Sequence, residues 1–478
     1  MRTTVKDLGT GSIGKLLFSL AIPAIVAQLV NLLYNIVDRI YIGHLPESSA
    51  ALGGLSIALP IITMIMAITQ LFGAGGAPLA AIRLGQKNKD DAEKIMMTSF
   101  TSLICSGVII TIVVLLFAEP LLYMFGADAS TINYGLSYIK IYAVGTVFVQ
   151  ISIGMNNYIN TQGFAKIGMM TVLIGAILNI ILDPIFIFAL DMGVKGAALA
   201  TIISQGVSAV WVLKFLFGQD STIKMRKQYI KPDMKILLSI LSLGVSPFIM
   251  ASTESILQIS FNNSMLMYGG TLAVSSMAIL MSLTQLLTYP IQGICMGAQP
   301  IMSYNFGAGD YARVRKCFKL LFKVCLTASF IVSGLVMLFS KNFAAIFSSN
   351  PDVQSFAKWA IRIYMFGLLL FGAQIACQQS FMSLGQAKRS LMMALFRKVI
   401  LLIPLIFILP AVLGNSSLAA SMAEPVAAYC NDSARVFCVL LAEPISDICA
   451  AIVTTSLFLQ FYRTKLNNPA ADAAAVNE

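Results

Sequence analysis

Charge is what this sequence has least of. Asp, Glu, Lys and Arg make up 11% of its 478 residues, where a soluble domain carries about a quarter. With 58% hydrophobic residues and a mean hydropathy of +0.84, a water-soluble globular protein is excluded. Histidine is almost missing: the single His44 falls in a loop and reads as solvated. There is no C-x-x-C pair among the eight cysteines, and six of them lie in or beside apolar runs. They read as packing residues rather than metal ligands or disulfides, with only Cys430 and Cys438 placed to meet outside the membrane. No nucleophile–base arrangement and no metal-ligand cluster stands out, so an enzyme is not expected. The net charge of +11 invites a nucleic-acid partner. The basic residues, however, sit in short connectors between apolar runs, where positive-inside topology accounts for them.

What is there is a series of long apolar runs. Six fall near 16–43, 53–82, 97–124, 137–162, 167–190 and 194–217, and six more near 237–267, 271–304, 318–347, 355–384, 395–413 and 437–461. Each is long enough to cross about 30 Å of hydrocarbon as a helix. The first run is too long for a signal-peptide core and has no clear cleavage site, so it is expected to be retained. An all-α membrane protein of twelve transmembrane helices follows. Residues 1–217 form a first six-helix bundle, 218–236 a cytoplasmic connector, 237–465 a second bundle and 466–478 a cytoplasmic tail. With both termini cytoplasmic, 25 of the 32 Lys and Arg face inward and 7 outward, which fixes that orientation.

The two sets are copies of one another. At a constant spacing of 222, Pro78 meets Pro300, Gly85 meets Gly307, Tyr142 meets Tyr364, and Gly163-x-Ala165-Lys166 meets Gly385-x-Ala387-Lys388. Pro23 meets Pro247 at 224, and beyond a jump to 242 Ala200 meets Ala442 and Ser204 meets Ser446. Six helices per copy is an even number, so the repeats are parallel, related by an axis along the membrane normal. The jump marks an insert of about 20 residues near 414–436, where Ala423-Glu424-Pro425 and Ala442-Glu443-Pro444 begin a tandem near-copy. It is expected to form an external loop before the last helix.

Polar residues inside the spans point to function. In Asn179-Ile-Ile-Leu-Asp183-Pro184 an acid lies deep in an apolar run, a placement that costs several kcal/mol and usually marks an ion or proton path. Asn179 and Asp183 share a helix face, and Pro184 denies the Ile180 carbonyl its helical partner. In the first helix Gln28, Asn31, Asn35 and Asp38 make one polar stripe. Counting residues to the helix ends puts Asp38, Asp183 and Thr201 at roughly 8–12 Å from the outer surface. Asp38, Asn179, Asp183 and Thr201 are therefore the expected cation or proton site. Two carboxylates in a low-dielectric site cannot both be charged cheaply, so the pair should hold a proton or a cation such as Na+. In the second half Glu254 forms a stripe with Gln258 and Asn262, and with no base within a few turns along the chain it is expected to be uncharged. Glu443 takes the place of Thr201, with Asp447 one turn on. Gln150, Asn157, Gln374 and Gln378 are candidates for a water-filled substrate passage, as are the stripe residues Gln28, Asn31, Asn35, Gln258 and Asn262. The 25 Met and 29 Phe read mostly as packing and lipid-facing residues.

These residues resemble the multidrug and toxic compound extrusion (MATE) family, in its MepA-like bacterial branch. The marks are Pro23, Ile36-Val37-Asp38, Ile42-Gly43, the Asn179–Pro184 run, Gly196-Ala-Ala-Leu-Ala-Thr201, Glu254, and Ala442-Glu443-Pro444-Ile445-Ser446-Asp447. The resemblance implies two bundles in a V and a chamber that opens alternately to either side. It implies export of lipophilic organic cations and drugs in exchange for H+ or Na+ from a bacterial cell membrane. Asp38, Asn179, Asp183 and Thr201 match the family's first-lobe ion site, and Glu254 its helix-seven acid. The tenth helix lacks an acid that some relatives carry. No cofactor and no nucleic acid are expected, and the chain should work as a monomer among membrane lipids. A flippase for lipid-linked saccharides is the main alternative. It would call for a cationic cavity, and the bases within spans, chiefly Arg362, Arg397 and Lys398, are expected near helix ends. A receptor or scaffold would leave the intramembrane acids without a role.

Overall fold

The computed structural model describes residues 5–45 and 48–467, apart from the side chains of Val5, Lys6, Asn35, Ser48 and Ser49. The expected tail 466–478 therefore lies, from residue 468 on, outside the described residues. Every regular element among those described is helical.

In chain order the long helices are α1 (Ile13–Ile42), α2 (Ser48–Gly85), α3 (Lys89–Met124), α4 (Ile132–Val144 with Thr146–Thr161, bent by 59°), α5 (Ala165–Ala189) and α6 (Val194–Phe217). A single 74-residue helix, Met234–Gly307, follows. At 1.5 Å per residue it is about 110 Å long, more than two bilayer cores. It breaks at Gly270, whose φ of 71° suits a residue without a Cβ. It is two passes, α7 before the break and α8 after it. Then come α9 (Tyr311–Leu338), α10 (Pro351–Ser383), α11 (Ala387–Leu413) and α12 (Ser433–Leu466). Among the described residues ten helices are long and apolar enough to cross a membrane, eleven if the bent pair is one span. Splitting the longest at Gly270 gives the expected twelve.

The sequence repeat is also a backbone repeat. Lys87 and Gly309, 222 apart, both have positive φ, of 59° and 76°. Each precedes a cap: Asn88 Oδ1 accepts from the Asp91 N–H at 3.1 Å, and Asp310 Oδ1 from the Arg313 N–H at 2.9 Å. Gly163 and Gly385, again 222 apart, have φ of 88° and 68° and open α5 and α11.

The chain divides into two compact units: residues up to Ala251 with Met296–Val314 and Ser383–Ala387, and Ser252–Cys295 with Arg315–Met382 and the chain from Lys388 on. The first has a core around Ile65, Tyr142, Val149 and Ala197. The second is built around Phe261, Phe356, Tyr364 and Leu440.

Inside the first unit, backbones touch where α2 meets the end of α8. A methyl group at Gly85 would overlap the Tyr304 carbonyl oxygen, and one at Gly307 would overlap the Ile82 carbonyl oxygen. These are one contact seen twice, since 82 and 85 map onto 304 and 307 at the repeat spacing. Such reciprocity is the signature of a two-fold contact, and small residues let helix backbones approach this closely in a membrane. A second pair behaves alike: Gly75 lies against Gly244, with its Cβ position 2.8 Å from the Gly244 Cα, and its repeat mate Gly297 lies against Ala21, with its Cβ position 2.6 Å from the Ala21 nitrogen.

The same unit ties down its connecting segments. Arg313 donates to the carbonyls of Leu8 (3.0 Å) and Gly11 (2.7 Å), holding the short helix Val5–Thr10. The connector is strapped on by Gln162, whose Oε1 accepts from the N–H groups of Thr222 (2.7 Å) and Ile223 (3.1 Å). Buried Glu93 adds an ion pair to Arg226 at 2.8 Å.

Two expectations need correction. The insert is not an open loop. It folds into a helix, Ser417–Ala423, and a 3-10 turn, Glu424–Tyr429, that bury Ala419, Ala423 and Val426 against the second unit. The Trp359 Nε1 donates to the Met422 carbonyl at 3.0 Å and fixes it there. Cys430 and Cys438 do not pair, because Cys438 is buried within α12; all eight cysteines are free thiols.

Candidate functional site

Helices α1, α5 and α6 bring four of the expected residues together in the first unit. Asn179 and Asp183 lie one turn apart on α5, and Asn179 Nδ2 donates to Asp183 Oδ1 at 3.0 Å. The same amide reaches Thr201 Oγ1 at 3.5 Å on α6, whose hydroxyl donates to the Ala197 carbonyl at 3.0 Å. Asp38 of α1 is close enough to Asp183 for their charges to interact. Tyr138 of α4 is buried beside this cluster, near enough to Asp38 for their charges to interact. Beyond Pro184, α5 relaxes into a π-helical turn, Ile185–Ala189.

This cluster is rich in acceptors and poor in donors. Asp38 Oδ1, Asn179 Oδ1 and Asp183 Oδ2 are all buried and have no hydrogen-bond partner among the described residues. An unmet buried oxygen costs about 1–3 kcal/mol, more when charged. Three such oxygens, two of them on carboxylates whose charges interact, suit a proton, which makes a carboxyl a donor, or a small cation that takes oxygen ligands. No group of three or more His, Cys, Asp or Glu arranged as a metal site occurs among the described residues.

The rest of the polar stripe in α1 goes elsewhere. Gln28 Nε2 lies 3.2 Å from Met296 Sδ on α8, Asn31 is exposed, and the Asn35 side chain is outside the described residues. Among the expected passage residues, Gln150, Gln374 and Gln378 are buried in this conformation. Gln150 is buried and accepts from Ser106 at 2.9 Å, and buried Gln374 donates to Gln378 at 2.6 Å. Asn157, half-buried, turns back to the Ile153 carbonyl at 3.4 Å. The Gln150 Nε2 is buried with no hydrogen-bond partner among the described residues.

The second unit holds a different cluster, and here two expectations fail. Arg397 and Lys398 are not near a helix end. They sit about ten residues into α11, in its π-helical turn Phe396–Leu402, and both are buried. The preceding Leu391–Phe396 stretch, apolar enough to belong to the span, is the signal that would have placed them. Arg397 donates from Nε to Asp447 Oδ1 at 2.7 Å and from Nη2 to Glu443 Oε1 at 3.0 Å. Its guanidinium lies 4.4 Å from the Phe371 ring centre, and its own carbonyl accepts from Ser446 at 2.9 Å. Lys398 Nζ forms an ion pair with Glu254. Glu254 is therefore not an isolated, uncharged acid: its base arrives from α11, 144 residues away in sequence. Gln258 and Asn262 follow Glu254 along the exposed edge of α7.

A family model described as MatE matches residues 23–185 and again 247–408, two thirds of the chain and one match per repeat. The chain belongs to the MatE family. Curated relatives named multidrug export protein MepA extend the match. The protein of Staphylococcus saprophyticus is 26% identical over 86% of this chain and 90% of its own length. That of Staphylococcus haemolyticus is 27% identical over 87% and 92%. Among solved structures, a MATE in the bent conformation superposes with a TM-score of 0.87 at 23% identity, covering all of both chains. An outward-facing multidrug resistance MATE transporter does so at 0.84 and 24%, again over both whole chains. These show that the MatE fold is shared.

Proposed function

We propose that this MatE protein is a secondary active antiporter that exports lipophilic, cationic drugs in exchange for H+ or Na+. One observation carries the reading: the three buried, unpartnered oxygens of Asp38, Asn179 and Asp183, gathered where two acids approach each other. A proton or a cation entering there relieves both the repulsion and the missing bonds, and its departure restores them. That difference lets an ion gradient drive a change of state. The names of the relatives support the drug class. In the orientation proposed, the termini and the connector 218–236 are cytoplasmic, the bundles are 1–217 and 237–465, and the ion enters from outside a bacterial cell membrane.

The lipid-linked saccharide flippase is less well supported. Its pyrophosphate substrate needs a cationic site, and the two buried bases of the second unit face three carboxylates, Glu254, Glu443 and Asp447.

The test is efflux from cells carrying Asp38→Asn or Asp183→Asn. Each should lose at least tenfold in dye efflux while still reaching the membrane, and unchanged drug resistance in both rejects the reading. Proteoliposomes under a pH gradient alone, then a Na+ gradient alone, identify the coupling ion.

A further inference from the structure

The second unit's charged cluster has no part in the ion site proposed above. Three carboxylates meet two bases there, so with all five ionised the cluster is one positive charge short. The shortfall has an address: Asp447 is completely buried, and its Oδ2 has no hydrogen-bond partner among the described residues. The two bases differ in placement. Arg397 is locked between Glu443 and Asp447, whereas Lys398 holds Glu254, an acid whose side chain is 50% exposed while that of Lys398 is 8% exposed. A half-exposed ion pair midway along a spanning helix must look onto water, because hydrocarbon there would cost several kcal/mol. Gln258 and Asn262, exposed on the same edge of α7, extend that wet strip. Glu254 thus shows one face to water and the other to Lys398.

We propose that Lys398 is a resident counter-cation that an organic cation must displace from Glu254, and that it restricts this site to monocations. The inference rests on the proposed export of organic cations. An incoming monocation replaces the ammonium at Glu254 and brings the cluster to neutrality. A flexible Lys side chain, freed from Glu254, can turn toward the unpartnered oxygen of Asp447. A neutral molecule cannot displace the ammonium, and a dication would leave the cluster with excess positive charge. Lys398 is a specificity residue by competition: each cation binds only as tightly as it outbids the lysine.

Binding of tetraphenylphosphonium to the purified full-length transporter, with the neutral triphenylphosphine oxide as control, tests this without any gradient. Lys398→Met should tighten tetraphenylphosphonium binding by about tenfold, since removing a competing state raises apparent affinity by the fraction it occupied. Lys398→Arg keeps the charge and can grip the carboxylate with two bonds, so it should weaken binding several-fold. Glu254→Gln should weaken it about tenfold. The neutral probe should not change in any variant. Equal or weaker tetraphenylphosphonium binding by Lys398→Met overturns the proposal, as does a neutral probe that moves in step. If Lys398→Met does not fold, tighter or unchanged binding by Lys398→Arg overturns it. Loss of efflux in Asp38→Asn with normal binding of the cation separates a failure here from a failure of ion coupling.

Discussion

Alanine at Gly85 or at Gly307 should force apart the ends of α2 and α8. At each position the added methyl meets a backbone carbonyl oxygen, that of Tyr304 or of Ile82, far inside the 3.0 Å that real Cβ atoms respect. A side chain could swing away; a helix carbonyl cannot, so the helices must separate by about an ångström. Overpacking of this kind costs about 1–3 kcal/mol. Spent against one of two conformations, it shifts their ratio by about 5–150-fold. Since the two collisions are repeat images of one contact, the two variants should behave alike. Gly334→Ala, where the added methyl meets nothing within 4 Å, is the control and should leave the contact intact.

Spin labels at Gln86 and Ala308, themselves 222 apart and both exposed, report the separation directly. The unmodified protein should give a short distance. Gly85→Ala and Gly307→Ala should each populate a longer one, and efflux should fall because the contact no longer re-forms in each cycle. A distance distribution identical to that of the unmodified protein in both variants, with full efflux, would refute the reasoning.

Other outcomes follow from the charged groups. Arg397→Met strands Glu443 and Asp447 in the protein interior, and removing one partner of a buried pair costs about 3–5 kcal/mol. The melting temperature of the purified protein should drop sharply, whereas Arg362→Met should change it little. Asp128, in the loop between α3 and α4, has its carboxyl held down to about 2 by hydrogen bonds from Ser130 and Thr131. A lowered folded value stabilises the turn above the ordinary carboxylate range and loses that support as pH falls toward 2. Amide protection at Ser130 and Thr131 should therefore be full at pH 5 and fail near pH 2, and equal protection at both values would contradict the assignment.

Most of the fold was legible because the membrane simplifies it. Apolar length gave the twelve passes, and Gly, Pro and Lys matches at one spacing gave the repeat, down to the paired positive-φ glycines 163 and 385. Asp38, Asn179, Asp183 and Thr201 could be grouped by counting residues to helix ends, since helical rise converts position into depth. Depth says nothing about which way a side chain turns, so the burial of Gln150, Gln374 and Gln378 among neighbours is not readable from it. Partners from other helices are equally invisible in a linear reading, and Glu254 was misjudged because its lysine lies on α11. A π-helical turn also leaves no hydrophobic-period signal. Arg397 and Lys398 looked like the start of a span when they occupy its middle.

The same repeat has been built with opposite electrostatics in its two halves. At the 222 spacing Arg397 replaces Gly175 and Lys398 replaces Ala176, and at 242 Glu443 replaces Thr201 and Asp447 replaces Gln205. In the first half Gly175 lets α5 and α6 close up, its Cβ position only 2.8 Å from Ser208 Oγ, and although Arg39 adjoins Asp38, neither Asp38 nor Asp183 is held in an ion pair among the described residues. In the second half the π-helical turn of α11 admits two long basic side chains, and its acids are met from within. A cation neutralising the first site must come from solution and can return to it. The two resident cations of the second, Arg397 and Lys398, are tethered to the chain and can only be rearranged. If ion exchange drives transport, it should therefore survive neutral substitutions at Glu254 and Lys398 and fail at Asp38 and Asp183. Proteoliposomes of the double variant Glu254→Gln/Lys398→Met should still acidify or take up Na+ during efflux of a neutral substrate. A double variant that transports but no longer moves the ion would transfer the coupling role to the second half.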